Sequence, residues 1–252
     1  MDRQSKLWDA ASQMRDDWEY RAEHNANYFV KSDKREWTLD DYVESGSTDV
    51  RRLLDGAMLR RNFDPKGKIL LELGCGNGRM TGALSDRFGH VHAVDISAQM
   101  IEKARVLVGK KTNITFSVGT GVDLLQFPDG TFDYCFSYTV FQHMPSRAVV
   151  FGYLAEILRT LKPGGIARIQ FNGDVWTLLE RYPKKYVVKA LGGIVGIKRK
   201  SLLFRGYFDT WVGVYISKRT IKRRLLTLGF TDVRIEDNGR TNVWLDATRP
   251  LK

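Results

Sequence analysis

The sequence has few of the residues that cross-link small proteins or build metal sites. Its 252 residues include 2 cysteines, 6 prolines and 4 histidines. Cys75 lies in a glycine-rich stretch and Cys135 in an apolar run, so two buried thiols are favoured over a disulfide or a metal pair. No apolar run reaches the roughly 18 residues of a membrane span, and the charged N-terminal stretch is unlike a secretory signal. The sequence therefore predicts a cytoplasmic protein without a metal site.

The excess positive charge is concentrated in one segment. The net charge is +11, and residues 184–224 alone carry 12 basic side chains against the single Asp209. Such a run is typical of a solvated helical face, but it also suits a phosphate-bearing partner, an anionic membrane or an acidic substrate. With 43% hydrophobic and 27% charged residues, the chain is otherwise an ordinary candidate for one large globular domain.

Hydrophobic periodicity predicts alternating strands and helices along the middle of the chain. Strands are expected at 68–73, 91–95, 114–118, 132–137 and 166–171. Helices are expected at 5–30, at 49–61, from the glycine cluster to about Arg87, at 97–108 with Ser97 as N-cap, and at 147–161. This rhythm is typical of parallel strands joined by right-handed helical crossovers, so we predict an α/β fold with an open, doubly wound sheet.

The end of the chain departs from this alternation. A helix is expected at 218–228, and two extended stretches follow it, at 232–237 and 242–248. They are separated by Asn238-Gly239, a pair typical of a tight hairpin turn. We therefore predict a mostly parallel, seven-stranded sheet with a terminal antiparallel hairpin.

A glycine-rich loop follows the first predicted strand. It reads Glu72-Leu-Gly74-Cys-Gly76-Asn-Gly78 and precedes a helix, so it brings backbone N–H groups and the positive end of a helix dipole to one place. Dinucleotide-binding loops have a small residue at the third position of their fingerprint, where this chain has Arg79. The spacing therefore argues against a nicotinamide dinucleotide.

Further motifs follow this loop in an informative order. They are Val94-Asp95-Ile96-Ser97, Phe127-Pro-Asp-Gly-Thr-Phe-Asp133, Ser137-Tyr-Thr-Val-Phe-Gln-His143-Met-Pro145 and Leu161-Lys-Pro-Gly-Gly165. Together with the loop, they resemble the motifs of class I, Rossmann-like S-adenosylmethionine-dependent methyltransferases over about residues 65–172. The resemblance implies S-adenosylmethionine as cofactor, S-adenosylhomocysteine as product, and the small-molecule branch of the family.

The resemblance also implies the residues of the cofactor site. Glu72 would orient the ammonium group, and Asp95 would accept hydrogen bonds from the ribose hydroxyls, with a helix-capping role as its alternative. Gly74 and Gly76 would let the backbone approach the methionine part. The other implied cofactor-binding residues are Cys75, Ile96 and Met100 (the last two around the adenine), Thr120, Gly121, Val122 and Ser137. The family commonly has an Asp or Asn near Thr120, so Thr120 or Asp123 would act there.

Methyl transfer from a sulfonium is an in-line displacement, so the protein mainly aligns the reactants and excludes water. A general base helps when the acceptor is a hydroxyl. His143, in the loop after the fourth strand, is the candidate base, and Tyr138 is the second catalytic candidate. Packing roles are equally compatible with both residues. His24 and Tyr28 are further candidates for contacts from an N-terminal lid.

Four regions follow from these elements: an N-terminal helical lid at 1–64, a cofactor-binding Rossmann-like core at 65–172, an inserted substrate cap at 173–217, and a final helix and hairpin at 218–252 that complete the sheet. Residues 172–217 contain eight aromatic side chains. Several of them are expected to face the cavity near His143, namely Trp176, Tyr182, Tyr207 and Trp211.

The acceptor class is inferred partly from missing motifs. Nucleic-acid amino-methylating enzymes of this fold carry an Asn/Asp-Pro-Pro-Tyr/Phe turn after the fourth strand, whereas this chain has Ser137-Tyr-Thr-Val. We therefore expect a small organic acceptor and no nucleic acid, with O-, N- and C-methylation left open. The alternatives are methylation of an RNA or protein that docks through residues 184–224, and cofactor binding without methyl transfer. Residues 186–197 also permit a weak peripheral membrane contact.

Overall fold

The computed structural model describes residues 3–173, 213–237 and 242–252. The elements within them are α1 (Arg3–Val30), α2 (Leu39–Arg60), β1 (Ile69–Leu73), α3 (Thr81–Ser85), β2 (His90–Asp95), α4 (Ala98–Val108), β3 (Ile114–Val118), β4 (Phe132–Ser137), a 3-10 turn (Phe141–His143), α5 (Arg147–Thr160), β5 (Leu161–Asn172), α6 (Lys218–Leu228), β6 (Thr231–Glu236) and β7 (Asn242–Thr248). None of the helices in these ranges is both long and apolar enough to cross a membrane.

The seven described strands form one sheet with the order β3-β2-β1-β4-β5-β7-β6. The pairs from β3 to β5 are parallel, whereas β7 runs antiparallel to both β5 and β6. The predicted fold class, a mostly parallel sheet with an antiparallel end, is therefore confirmed. The predicted hairpin turn at Asn238 and Gly239 lies outside the described residues.

Helices cover both faces of the sheet, because successive residues of a strand point to opposite sides. Leu71 of β1 packs on the face that holds Leu154 of α5. Its neighbour Leu70 packs on the other face with Leu54 of α2 and Leu84 of α3. A parallel strand buried on both faces consists mainly of apolar residues, which is why β1 was recognisable in the sequence.

The first helix differs from the prediction of one continuous helix over 5–30. The backbone of Asn25 is non-helical, with φ of −164° and ψ of 80°. The side-chain oxygen of Asn25 accepts a hydrogen bond from the N–H of Tyr28 at 3.1 Å. Asn25 thus interrupts the helix and caps the segment that follows, a role that short polar side chains favour.

The second helix begins at Leu39, although the sequence predicts a start at 49. Thr38 caps it by accepting a hydrogen bond from the N–H of Asp41. The run from Ser45 to Thr48 has the composition of a loop, but α2 continues through it. Gly46 in this run packs so closely that a Cβ there would lie 2.0 Å from the carbonyl oxygen of Arg79. A tertiary contact therefore overrides the weak helix propensity of these residues.

Two other boundaries also correct the prediction. The helix after the glycine loop was expected to reach about Arg87 and spans only Thr81–Ser85. β5 was expected at 166–171 but begins at Leu161, because Leu161 pairs with Phe132 ahead of an irregularity in the ladder. Ser97, by contrast, caps α4 as predicted, since its hydroxyl accepts from the N–H of Met100 at 3.0 Å.

Candidate functional site

A cavity lies at the carboxyl ends of β1, β2 and β4. The sheet order passes there from β1 to β4, the switch point at which open α/β sheets bind ligands. The residues that line it are Met14, Trp18, Phe29, Val30, Ser32, Glu72, Leu73, Gly74, Cys75, Gly76, Arg79, Met80, Val94, Asp95, Ile96, Gly119, Phe136, Tyr138, Thr139, Val140, Gln142, His143, Met144 and Tyr153. The glycine loop, the loop after β4 and α1 thus share one cavity.

Two positions of the loop after β1 require glycine. Gly74 has φ of +78° and Gly76 has φ of +55°, in the left-handed region that other residues seldom adopt. A Cβ at Gly74 would lie 2.1 Å from a methyl carbon of Val140, and one at Gly76 would lie 2.9 Å from a methyl carbon of Val30. The N–H of Gly74 also donates to the carbonyl of Val94 at 2.7 Å. The backbone of the loop therefore packs directly against its neighbours at Gly74 and Gly76, where it has no side chains.

Asp95 lies at the end of β2 and is 9% exposed. Its Oδ2 accepts from the N–H of Gly76 at 2.8 Å, and its Oδ1 accepts from the N–H of Ser97 at 3.0 Å. Burial raises the pKa of Asp95 to about 6, although these backbone donors favour the ionised form. The cap of α4 is Ser97, so the capping alternative for Asp95 does not hold. Its carboxylate faces the cavity and joins the glycine loop to β2.

Glu72 is a second buried acid on the cavity wall, with 4% of its surface exposed. Its carboxyl accepts a hydrogen bond from the hydroxyl of Thr81 at 2.7 Å. Burial raises the pKa of Glu72 to about 8, and the charge of Asp95 adds to this effect, whereas Thr81 and Arg79 oppose it. A cation beside this carboxyl would restore its charged form, so the position suits an ammonium group.

Helix α1 is attached to the start of α4 by one acidic side chain. The carboxylate of Glu19 accepts from the N–H groups of Ala98 and Gln99 at 2.6 and 3.3 Å. It also accepts from the hydroxyl of Ser97 at 3.0 Å. Acidic groups are favoured at this position, because the first N–H groups of a helix lack partners and carry the positive end of its dipole. The contact holds the neighbouring Trp18 at the cavity wall.

The loop after β4 brings Tyr138 and His143 to the cavity. Thr139 between them has φ of +58°, a strained value for a β-branched residue. His143 is 6% exposed, and its ring packs edge-on against Trp18 with 5.2 Å between the centroids. Its Nε2 lies 3.1 Å from the Nε2 of Gln142 and accepts a hydrogen bond from it, because an amide nitrogen only donates. The cavity wall thus includes His143, Gln142 and Tyr138, and the ring of Tyr138 stacks on Trp244.

The inserted segment reaches this loop at its described end. The N–H of Gly213 donates to the carbonyl of Gln142 at 2.8 Å, and the N–H of Val214 donates to that of Met144 at 2.9 Å. Most of the predicted cap lies outside the described residues, including Trp176, Tyr182, Tyr207 and Trp211. The cap and the division of the chain into four regions stay predictions.

Many of the residues predicted for the site line the cavity. They are Glu72, Gly74, Cys75, Gly76, Asp95, Ile96, Tyr138 and His143. The other predicted residues, Met100, Thr120, Gly121, Val122 and Ser137, are not in its wall. Within the described part of the chain, no group of three His, Cys, Asp or Glu side chains is arranged to hold a metal ion.

Three of the predicted residues outside the cavity wall stabilise the elements that form it. Met100 is fully buried in a cluster with Ala22 of α1. The hydroxyl of Thr120 accepts from the N–H of Val122 at 3.2 Å and so shapes the turn after β3. Ser137 donates through its hydroxyl to the carbonyl of Leu73 at 2.9 Å, between two strands.

Of the lid candidates, His24 is exposed and contacts the carbonyl of Tyr20. Neither His24 nor Tyr28 is part of the cavity wall, where α1 contributes Trp18 and Phe29 instead. No local pattern marks Trp18 or Phe29 as wall residues, because the docking of α1 is a tertiary feature. Arg79 was also missed as a wall residue, although its place directly after the glycine loop was a signal.

Comparison with known proteins identifies the region around this cavity. A family model described as "Methyltransferase domain" matches residues 71–169. The chain carries a class I methyltransferase domain. The family recognised from the sequence motifs is thereby confirmed, and the glycine loop, Asp95 and the loop after β4 all lie inside this methyltransferase domain.

Two curated relatives resemble the methyltransferase domain. The 2-methyl-6-phytyl-1,4-hydroquinone methyltransferase of Synechocystis is 37% identical over 103 residues, which are 40% of this chain and 31% of that protein. Phosphoethanolamine N-methyltransferase 2 of Caenorhabditis elegans is 36% identical over 115 residues, which are 44% of this chain and 25% of that protein. The chain thus matches only a part of each relative's length.

Solved structures share the fold. Phosphoethanolamine N-methyltransferase 2 of Haemonchus contortus, in complex with phosphomonomethylethanolamine and S-adenosylhomocysteine, has a TM-score of 0.61 at 17% identity, covering 94% of this chain and 60% of that one. An S-adenosylmethionine-dependent methyltransferase from Methanosarcina mazei has a TM-score of 0.57 at 20% identity, covering 77% of this chain and 98% of that one. S-adenosylmethionine is the cofactor of this family, and two buried acids beside a loop that lacks side chains at Gly74 and Gly76 fit its ammonium and ribose groups.

Proposed function

We propose that this chain transfers the methyl group of S-adenosylmethionine to a small organic acceptor. The observation that carries the proposal is that one cavity is lined both by the glycine loop with Glu72 and Asp95 and by Trp18 and His143. The first set suits the cofactor, and the second suits an acceptor beside it. A shared cavity brings the two reactants together, which is the main requirement of an in-line displacement.

The cofactor would be held at both ends by buried acids. Glu72 would bind the ammonium group, and Asp95 would accept hydrogen bonds from the ribose hydroxyls while it keeps its bond to the N–H of Gly76. Ile96 would cover the adenine, since its side chain lines the cavity and lies so close to Gly121 that a Cβ there would be 2.5 Å from the Ile96 Cδ1. Bound in this way, the cofactor supplies the methyl group and the leaving group.

The acceptor region combines apolar walls with few polar groups. Trp18, Phe29 and Met144 would exclude water from the methyl group. His143 would take the proton of a hydroxyl or amine acceptor, and Tyr138 would orient the acceptor by a hydrogen bond. The relatives support a small acceptor, because they include hydroquinone, phosphoethanolamine and demethylmenaquinone methyltransferases.

RNA or protein methylation is the second candidate function. The described helix α6 carries five of the basic side chains of the 184–224 segment, namely Lys218, Arg219, Lys222, Arg223 and Arg224. We do not favour this function, since a basic helix face is commonly just solvated. A cytoplasmic location stays a prediction from the sequence, and it agrees with two free, buried cysteines.

The proposal is tested first by ligand binding and then by turnover. Calorimetry should detect S-adenosylhomocysteine but neither NAD nor NADP. With S-adenosylmethionine, a panel of phenols, quinols and amines should include an acceptor that releases S-adenosylhomocysteine, whereas RNA and protein mixtures should not. Binding without turnover on any substrate would favour the non-catalytic alternative, and a ranking of NAD above S-adenosylhomocysteine would refute the proposal.

Once an acceptor is known, His143→Ala should lower kcat by roughly 10²–10⁴-fold, the usual contribution of a general base. Affinity for S-adenosylhomocysteine should be unchanged. Tyr138→Phe, which removes only a hydroxyl, is the matched variant and should mainly raise KM. If His143→Ala retains kcat, His143 is a packing residue.

A further inference from the structure

Arg79 is a buried arginine to which the proposed reaction assigns no role. It follows the glycine loop directly, it is 4% exposed, and it lines the same cavity as Glu72. Its Nη1 donates to the hydroxyl of Ser45 at 3.1 Å, and its Nη2 forms an ion pair with Asp49 at 2.9 Å. Its Nε is buried and has no hydrogen-bond partner among the described residues. A buried donor without a partner is costly, so it suits a ligand that supplies an acceptor.

The surroundings of Arg79 carry more positive than negative charge. Asp49 is the shared partner of three cations, since Lys31 and Arg52 also lie 3.4 and 2.6 Å from its carboxylate. One carboxylate cannot neutralise three cations. Lys31 has a second partner in Asp33, which is largely exposed. In the free protein, where Glu72 is mainly protonated, the three cations exceed the carboxylates of Asp49 and Asp33 by one charge, which favours an anionic ligand group beside the cavity.

Helix α2 fixes the position of Arg79. Ser45 and Asp49 both belong to α2, and Gly46 between them lets the helix reach the Arg79 backbone. An arginine held by two partners loses little conformational freedom on binding a third, and its planar guanidinium matches a carboxylate. The guanidinium of Arg79 is thus preorganised for ligand binding.

We propose that Arg79 binds the carboxylate of the cofactor's methionine part, so that Glu72 and Arg79 together recognise both charges of the amino acid. The inference rests on the proposed function, because it takes S-adenosylmethionine as the occupant of the cavity. It assigns α2 a share in the cofactor site. It also gives a ligand-binding reason for Arg79 at the position where a dinucleotide loop has a small residue.

The test compares two ligands that differ only in the carboxylate. Calorimetry is run with S-adenosylhomocysteine and with its decarboxylated analogue on the wild type, Arg79→Gln, Arg79→Lys and Arg52→Gln. Arg52 shares Asp49 with Arg79 but is absent from the cavity wall, so Arg52→Gln is the matched control. Circular dichroism and thermal unfolding establish that each variant is folded.

The wild type should bind S-adenosylhomocysteine roughly 10- to 100-fold more tightly than the analogue, the scale of a charge-assisted hydrogen bond. Arg79→Gln should abolish this preference and leave binding of the analogue within about 3-fold, since only the carboxylate contact is lost. Arg79→Lys should keep part of the preference. Arg52→Gln should keep most of it and change it by less than about 3-fold, because it removes one charge of the cluster but no group of the cavity wall.

Three outcomes would overturn the assignment while leaving the proposed function intact: no preference in the wild type, equal losses for both ligands in Arg79→Gln, or the same effect in Arg52→Gln. If Arg79→Gln does not fold, the wild-type preference and Arg79→Lys decide the question. If the wild type binds neither ligand, the proposed function fails together with this inference.

Discussion

Cofactor binding should release a proton from Glu72. This carboxyl is 4% exposed, it has the Thr81 hydroxyl as its hydrogen-bond donor, and burial raises its pKa to about 8. At pH 7 the free protein therefore carries Glu72 mainly in its protonated form. An ammonium group beside the carboxyl favours the ionised form and drives the proton off.

The magnitude follows from the pKa. If the bound cofactor lowers the pKa of Glu72 well below 7, binding at pH 7 releases most of one proton, and ionising the carboxyl costs on the order of 1 kcal/mol of affinity. Because binding releases a proton, the affinity for the cofactor rises with pH, by up to tenfold per pH unit between about pH 6 and 8. It levels off above the pKa of the free carboxyl. Asp95, with a pKa of about 6, adds a further loss of affinity only below that pH.

The assay is calorimetry of S-adenosylhomocysteine binding in two buffers with different enthalpies of ionisation, at pH 6, 7 and 8. Glu72→Gln should bind more weakly, release no proton and lose the rise of affinity with pH. Glu102→Gln changes an exposed carboxyl of α4 and is the control. Wild-type binding with no proton release at pH 7 would refute the link between the burial of Glu72 and recognition of the ammonium group.

Two other substitutions test the site and its support. Asp95→Ala should lower the affinity for S-adenosylhomocysteine by roughly 1–3 kcal/mol in a folded protein, because ribose hydroxyls and the N–H of Gly76 lose an acceptor. Asp95→Asn should lose less affinity. If calorimetry finds the same affinity in both variants as in the wild type, Asp95 does not belong to the site. Gly46→Ala should lower the free energy of unfolding in urea by about 1–3 kcal/mol, since its Cβ would lie 2.0 Å from the Arg79 carbonyl. Gly56→Ala in the same helix meets only the end of the Arg60 side chain at 3.2 Å and should be neutral or stabilising, so equal losses would contradict the packing argument.

The central sheet could be predicted because its strands are marked locally. β3 and β4 have the predicted bounds, Ile114–Val118 and Phe132–Ser137. β3 alternates apolar and polar residues, β4 is mainly apolar, and both lie between turn residues. The start of α2 could not be predicted, because Ser45 to Thr48 favours a loop until Gly46 meets Arg79. Local preference fails where a distant backbone decides the conformation.

The candidate site divides in the same way. Glu72 and Asp95 could be predicted because strand ends at a switch point define one edge of the sheet, and a motif places both residues there. Trp18 and Phe29 could not, because no local pattern says where α1 docks. Its attachment depends on Glu19 meeting the start of α4, a contact between residues far apart in the chain.

The N-terminal helices are attached at the points that the methyltransferase domain would use for its cofactor. Glu19 of α1 binds the start of α4 two residues after Asp95 ends β2, and Asp49 of α2 binds Arg79 at the end of the glycine loop. The same helix α1 carries Trp18 to the wall beside His143. Changes in α1 should therefore alter cofactor affinity together with acceptor choice. Under the proposed function, Trp18 and Phe29 of α1, which line the cavity but lie outside the family match at 71–169, are the residues to change first in a test of acceptor choice.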